Sequence, residues 1–167
     1  MKKIIIAGLD NSGKSSLLLS FKGIQALSKF TNIEPTRGIN QVEIDQFSQN
    51  FVIWDIGGQH QNREVFLKEF RMTITETKKL IYVIDIQDRE RYDLALDYLK
   101  KIINQLKAKN IKVDLSIFLH KFDQNFNIKD LELDSLIKSI KNIIPLNYEY
   151  QIHKTSLSVI YKKETLI

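Results

Sequence analysis

The segment GLDNSGKS, residues 8–15, sets two of the chain's six glycines five positions apart and follows them with Lys14 and Ser15. The pattern is G-x-x-x-x-G-K-S, and its chemistry is anion capture. Glycines at 8 and 13 let the backbone curl tightly, so that the amides of Asn11, Ser12, Gly13 and Lys14 face a β-phosphate. A helix starting near Lys14 adds the positive end of its dipole. Lys14 would bridge β- and γ-phosphate oxygens, and the Ser15 hydroxyl would reach Mg2+. The plain alternative is a strand-to-helix turn with an incidental lysine. The elements around the loop decide between the two.

Those elements alternate. KKIIIAG (2–8) is a short β-branched run of the kind buried on both faces of a sheet. KSSLLLSFK has helical character. GINQVEIDQF, with its partial apolar–polar alternation, and NFVIWDI read as a hairpin across the polar break SQN. KLIYVIDI and VDLSIFLH are further strands, and YEYQIHKTS is the last. Between them, Tyr92, Ala95, Leu96, Leu99, Ile102, Ile103 and Leu106 recur at helical spacing, and a second helix over DLELDSLIKSIKNII stops at Pro145. REVFLKEFRMTI (63–74) reads as one more helix. Strands separated by helices predict an α/β fold. Its sheet is mostly parallel and six-stranded, with one antiparallel edge strand and helices on both faces. Ligands of such sheets sit beyond the carboxyl ends of the strands. Residues 8–15, 55–59, 120–123 and 155–157 all follow strand candidates, so four candidate sites share one rim.

The 167 residues, 43% of them hydrophobic, suffice for one ordinary domain, with no internal repeat or linker. Cysteine is absent, which excludes a disulfide framework or a thiolate metal site and suits a reducing cytosol. The apolar runs fall short of the roughly 20 residues of a membrane span. MKKIII begins like a signal peptide, but Asp10, Gly13 and Lys14 interrupt it and favour a first strand. The net charge of +5 is spread over scattered lysines (Lys100, Lys101, Lys107, Lys109, Lys112, Lys138, Lys141) with acids among them. That describes a solvated surface rather than a stripe for nucleic acid or anionic lipid. Lys2 stands where a myristoylated chain needs glycine, and no cysteine is present for a prenyl group.

GLDNSGKS, PTRGIN (35–40), WDIGGQ (54–59) and LIYVIDIQDRERY (80–92) together resemble small Ras-superfamily GTPases of the Arf type. LIYVIDIQD and HKFD (120–123) are similar to the Rag branch of those proteins. The resemblance runs over nearly the whole chain, in order and spacing. It implies a P-loop NTPase G domain over residues 1–167 that binds GTP or GDP with Mg2+. The phosphates would then contact Gly8, Leu9, Asp10, Asn11, Ser12, Gly13, Lys14, Ser15 and Ser16. Asp55 would hold Mg2+ through water beside Ser15, the Gly58 amide would meet the γ-phosphate, and Gln59 would orient the attacking water. Thr36 would give its hydroxyl to Mg2+ and its amide to the γ-phosphate, as the centre of a first switch that relaxes on hydrolysis. Asp123 would accept from guanine N1–H and the 2-amino group, two donors that adenine does not present together. Lys121 would lie along base and ribose, and the amides of Ser156 and Leu157 would face guanine O6. Most small GTPases carry Asn where this chain has His120, and a ring nitrogen offers one hydrogen bond where an amide offers two-sided bonding. Arg37 follows Thr36, whereas internal arginine fingers precede it, so Arg37 reads as surface charge; His60 and His153 read as structural or exposed.

Two departures qualify the resemblance. Arf-type proteins begin with an amphipathic, lipid-modified helix, whereas here a strand is expected almost from Met1, so membrane contact is expected only through partners. After HKTS only LSVIYKKETLI remains, which predicts a brief or truncated final helix and a sheet face that a second copy or another chain would cover. Lacking an internal finger, the chain is expected to hydrolyse GTP slowly alone and to answer to an activating protein, an exchange factor and an effector. Two rival readings stand beside it: a GTP/GDP-binding scaffold in a Rag-like heterodimer that does not cleave, and a small ATP-using kinase. The kinase is disfavoured by HKFD and by the absence of an arginine-rich lid.

Overall fold

The computed structural model describes residues 2–23, 33–46, 49–123 and 126–157. Its elements run β1 (Lys2–Gly8), α1 (Lys14–Phe21), β2 (Ile39–Gln46), β3 (Gln49–Ile56), α2 (His60–Lys68), α3 (Phe70–Ile74) and β4 (Thr77–Asp85). A 3-10 turn (Arg89–Arg91), α4 (Tyr92–Ala108), β5 (Asp114–His120), α5 (Asp130–Ile143) and β6 (Tyr150–Thr155) complete the order. The expected final helix falls in 158–167, outside the described residues.

The six strands form one sheet in the order β2-β3-β1-β4-β5-β6. Only β2 and β3 pair antiparallel; all other neighbours are parallel. The parallel pairs need crossovers, and the helical runs read from the sequence supply them. Register then fixes the rim. Ile6 pairs with Asp55, Gly8 with Val83, Asp85 with His120, and His120 with Thr155, so the four expected segments leave the sheet side by side.

Alternate residues of β1 feed opposite faces, as the two-residue period of a strand requires. Ile5 and Ala7 face the larger cluster, with Phe66, Phe70 and Ile74 of α2 and α3, Leu99, Ile102, Ile103 and Leu106 of α4, and Leu136 and Ile140 of α5. Ile6 faces the smaller cluster, where Leu17 and Leu18 of α1 meet Val42, Ile44, Ile53, Ile81 and Val83. One expectation is corrected. The helix expected over 63–74 starts at His60 and breaks at Glu69, whose φ and ψ of −96° and 18° leave the helical region. The run of helical spacing from Tyr92 to Leu106 is α4, preceded by the 3-10 turn, and it buries Tyr98 in addition to most of the positions read from the spacing.

Candidate nucleotide-binding site

In the loop from β1 to α1, Gly8 and Gly13 have φ of 149° and 91°, and Asn11 is left-handed at 58°. A Cβ on Gly8 would lie 2.4 Å from the Val83 carbonyl oxygen. Side chains fix three successive carbonyls of this loop. Leu9 O accepts from Ser12 Oγ at 2.8 Å and from Lys14 Nζ at 2.6 Å. Asp10 O accepts from an Arg91 guanidinium nitrogen at 3.3 Å, and Asn11 O from Lys121 Nζ at 2.8 Å. No backbone carbonyl among the described residues accepts from the amides of Asn11, Ser12, Gly13 or Lys14. They precede or open α1, whose dipole adds positive potential there. Lys14 is buried, and burial pushes its pKa down to about 8 although the Asp55 and Asp10 carboxylates pull it upward. An anion beside this ammonium would raise its pKa again.

A cation corner adjoins the loop. Asp55 is fully buried at the end of β3. Its Oδ2 accepts from Ser15 Oγ at 2.7 Å and Thr36 Oγ1 at 3.1 Å, and the two hydroxyls lie 3.1 Å apart. Its Oδ1 has no partner. Burial raises the Asp55 pKa, and the Ser15 hydroxyl and the Lys14 charge oppose that rise. Two hydroxyls and an unsatisfied carboxylate oxygen form a hard oxygen set, which fits a Mg2+ that keeps waters and shares substrate phosphates. Among the described residues no three His, Cys, Asp or Glu side chains converge.

Thr36 is held from the far side. Asn62 Nδ2 donates to Thr36 O at 3.2 Å while Asn62 Oδ1 accepts from Gly38 N, and Gly57 N donates to Gly38 O at 2.8 Å. This closeness needs both glycines of GGQ. A Cβ on Gly57 would lie 2.5 Å from Thr36 O, and one on Gly58 would lie 2.1 Å from Asp10 N. Gln59 is exposed and extended, as the N-cap of α2. With Asp10, Lys14, Ser15, Ser16, Thr36 and Gly58 it lines an open cavity of about 340 Å³.

The base loop follows β5. His120 is buried, its Nδ1 2.9 Å from Thr155 Oγ1. Its ring backs the phosphate loop: a Cβ on Gly13 would lie 2.4 Å from His120 Cδ2. Burial, then the Lys121 charge, lowers its pKa and favours the neutral ring. Lys121 is left-handed (φ 67°), and its Nζ bonds Asp85 Oδ2 at 2.6 Å as well as Asn11 O. Asp123 and Ser156 are exposed on the same rim, and Leu157 packs against the smaller cluster. Arg37, His60 and His153 are exposed, and His153 meets the Phe118 ring edge-on.

Sequence reasoning assigned no role to Arg91, Asp85, Asn62 or Gln87. Arg91 pairs with Asp88 and Asp10 and reaches the Asp10 carbonyl, and Asp85 anchors Lys121. Both lie inside LIYVIDIQDRERY, a stretch singled out only for its resemblance.

A phosphate loop at the end of β1, an acid–hydroxyl corner beside it and a Lys–Asp loop after β5, on this strand order, make the fold that of a P-loop GTPase. The chain belongs to the ADP-ribosylation factor family, whose model matches residues 1–165. It is 33% identical over 142 residues to ADP-ribosylation factor-like protein 5A of Homo sapiens, covering 84% of this chain and 74% of that protein. It is 34% identical over 131 residues to ADP-ribosylation factor F of Dictyostelium discoideum, covering 78% of this chain and 65% of that protein. Family membership makes this a small GTP-binding GTPase, and proteins of the family bind GTP or GDP with Mg2+. These relatives lend no support to the Rag side of the resemblance. Among the described residues no helix is long and apolar enough to cross a membrane.

Proposed function

We propose that the chain is a single-domain, Mg2+-dependent guanine-nucleotide switch that hydrolyses GTP to GDP and phosphate and changes partners between the two states. The amides of residues 11–14 cradle the β-phosphate, with Gly8, Leu9, Asp10 and Ser16 completing the loop. The Lys14 ammonium lies across β- and γ-phosphate oxygens and offsets the charge that builds on the bridging oxygen as water attacks the γ-phosphorus and the bond from that phosphorus to the bridging oxygen breaks, leaving GDP and phosphate. Ser15, Thr36 and Asp55 hold Mg2+, which when bound neutralises phosphate charge. The Gly58 amide meets the γ-phosphate, and Gln59 orients the water that attacks it. On the base side, His120 backs the phosphate loop, Lys121 spans loop and base, Asp123 reads guanine, and the amides of Ser156 and Leu157 face O6.

The observation that carries this reading is the convergence of Lys14, Ser15 and Thr36 on one cavity, with buried Asp55 bonded to both hydroxyls, beside amides with no backbone partner. With Arg37 exposed and on the far side of Thr36, hydrolysis is slow until an activating protein supplies a finger worth about 10³–10⁵ in rate. Exchange factor and effector meet the same switch segments, and partners recruit the chain from the cytoplasm to membrane surfaces. Mass spectrometry of the co-purifying nucleotide, with and without Mg2+, tests the ligand; GDP or GTP is expected. Phosphate release by wild type and Gln59→Leu tests the chemistry, and a fall of about tenfold or more is expected in the variant. Equal release would favour the second reading, which rests on His120: a non-hydrolysing GTP/GDP scaffold in a Rag-like dimer.

A further inference from the structure

The base loop is braced by a residue that the guanine-reading scheme does not contain. Gln87 Nε2 donates to Lys121 O and to Asp123 Oδ2, each at 2.8 Å. The backbone around Gln87 holds the same loop: Ile86 N donates to His120 O at 3.0 Å, and Gln87 N to Asp85 Oδ1 at 2.9 Å. Asp85 in turn holds Lys121 Nζ. Residues 85–87 therefore brace positions 120, 121 and 123, and among the described residues the Gln87 amide is the side chain that reaches the Asp123 carboxylate.

We infer that Gln87 determines base specificity by positioning Asp123. This rests on Asp123 reading guanine. An exposed aspartate turns freely about its side-chain bonds, but accepting from N1–H and the 2-amino group together requires one orientation of the carboxylate. A donor fixed on Oδ2 selects that orientation before the nucleotide arrives, so less ordering is left for binding. Each carboxylate oxygen has two acceptor sites, so Oδ2 serves Gln87 and the purine at once. A carboxylate held there as an acceptor rejects a base that presents an acceptor at N1. Gln87 also supplies to this loop an amide that His120 does not.

The test titrates the full chain and its Gln87→Ala and Gln87→Glu variants with GDP, IDP (which lacks the 2-amino group) and ADP, all with Mg2+. Gln87→Ala is expected to weaken GDP by about three- to tenfold, IDP less, and ADP not at all, so that GDP-over-ADP preference narrows by the loss in GDP. Gln87→Glu sets a second carboxylate against Asp123 and is expected to narrow it further. Gln87 is exposed, so both variants should fold, with thermal melting as the control. Equal weakening of all three nucleotides, or a preference unchanged in both variants, would overturn the inference. Wild type binding ADP as tightly as GDP would instead sink the guanine reading beneath it.

Discussion

The two ends of the site are built to different standards. At the proposed phosphate end, the neighbouring carbonyls of the loop amides are tied down by Ser12, Lys14, Arg91 and Lys121. Lys14, Ser12 and Asp55 there are buried. At the base end, Asp123 and Ser156 stand in solvent, and Asp123 is steadied by one exposed glutamine. Buried, multiply bonded groups keep their geometry at little further cost on binding, whereas exposed ones must be ordered each time. Affinity is therefore expected to reside in the phosphate loop, and choice of purine in few side chains. Gly13 joins the two ends, because its missing side chain leaves room for the His120 ring.

The sharpest way to break the contrast is Gly13→Ala. The new methyl would lie 2.4 Å from His120 Cδ2, and that ring is buried and held at Nδ1 by Thr155, so it cannot simply swing aside. Position 13 also has φ 91°, which an alanine adopts only under strain. The expected result is a loss of about 2 kcal/mol or more in urea unfolding and at least about 100-fold in GDP affinity. Adding His120→Ala should return part of the stability, since it removes the clash and leaves the φ penalty. A single variant that binds GDP like wild type would show that the ends are not mechanically joined there.

What the sequence reveals divides along the same line. Buried parallel strands are near-continuous apolar runs, and loops that approach phosphate need glycine at fixed positions, so the sheet and the phosphate loop are legible from local pattern. The braces are not. Arg91 reaches Asp10 across 81 positions, Gln87 reaches Asp123 across 36, and Asn62 reaches Thr36 across 26. A polar side chain on a loop, a 3-10 turn or the first turn of a helix carries no periodicity that names its partner. The break at Glu69 is hidden for a different reason. Phe66, Phe70 and Ile74 recur every four residues and are all buried, so the apolar pattern continues across a backbone that does not.

Lys14 offers a way to sharpen the comparison through pH. Burial holds its free-state pKa near about 8, and a bound phosphate favours the charged ammonium, so binding above that pH must take up a proton. Below the free-state pKa the lysine is already charged and affinity should be flat. Above it, GTP affinity should fall by up to about tenfold per pH unit. Calorimetry at pH 8.5 in two buffers of different ionisation enthalpy should show proton uptake, absent at pH 6.5. An equal, buffer-independent heat at both values would mean that Lys14 is not the group that matters.

The mildest prediction concerns Arg91, which serves the phosphate end from outside the cavity. It bonds the Asp10 carbonyl and pairs with the Asp10 carboxylate at 3.1 Å, and that carboxylate borders the cavity. Both side chains are partly solvated, so the pair itself contributes little to folding. On the proposed function, its expected effect is to offset the negative charge of Asp10 beside the phosphates. Arg91→Ala should weaken GTP by about threefold to fivefold and GDP by less, because only the triphosphate brings a γ-phosphate near Asp10. Asp10→Asn in the same chain should recover most of the loss, and the double-mutant cycle measures the coupling directly. If Arg91→Ala weakened GDP and GTP alike and Asp10→Asn recovered nothing, the carbonyl contact rather than the charge would be what Arg91 contributes, and the phosphate end would depend on backbone shape alone.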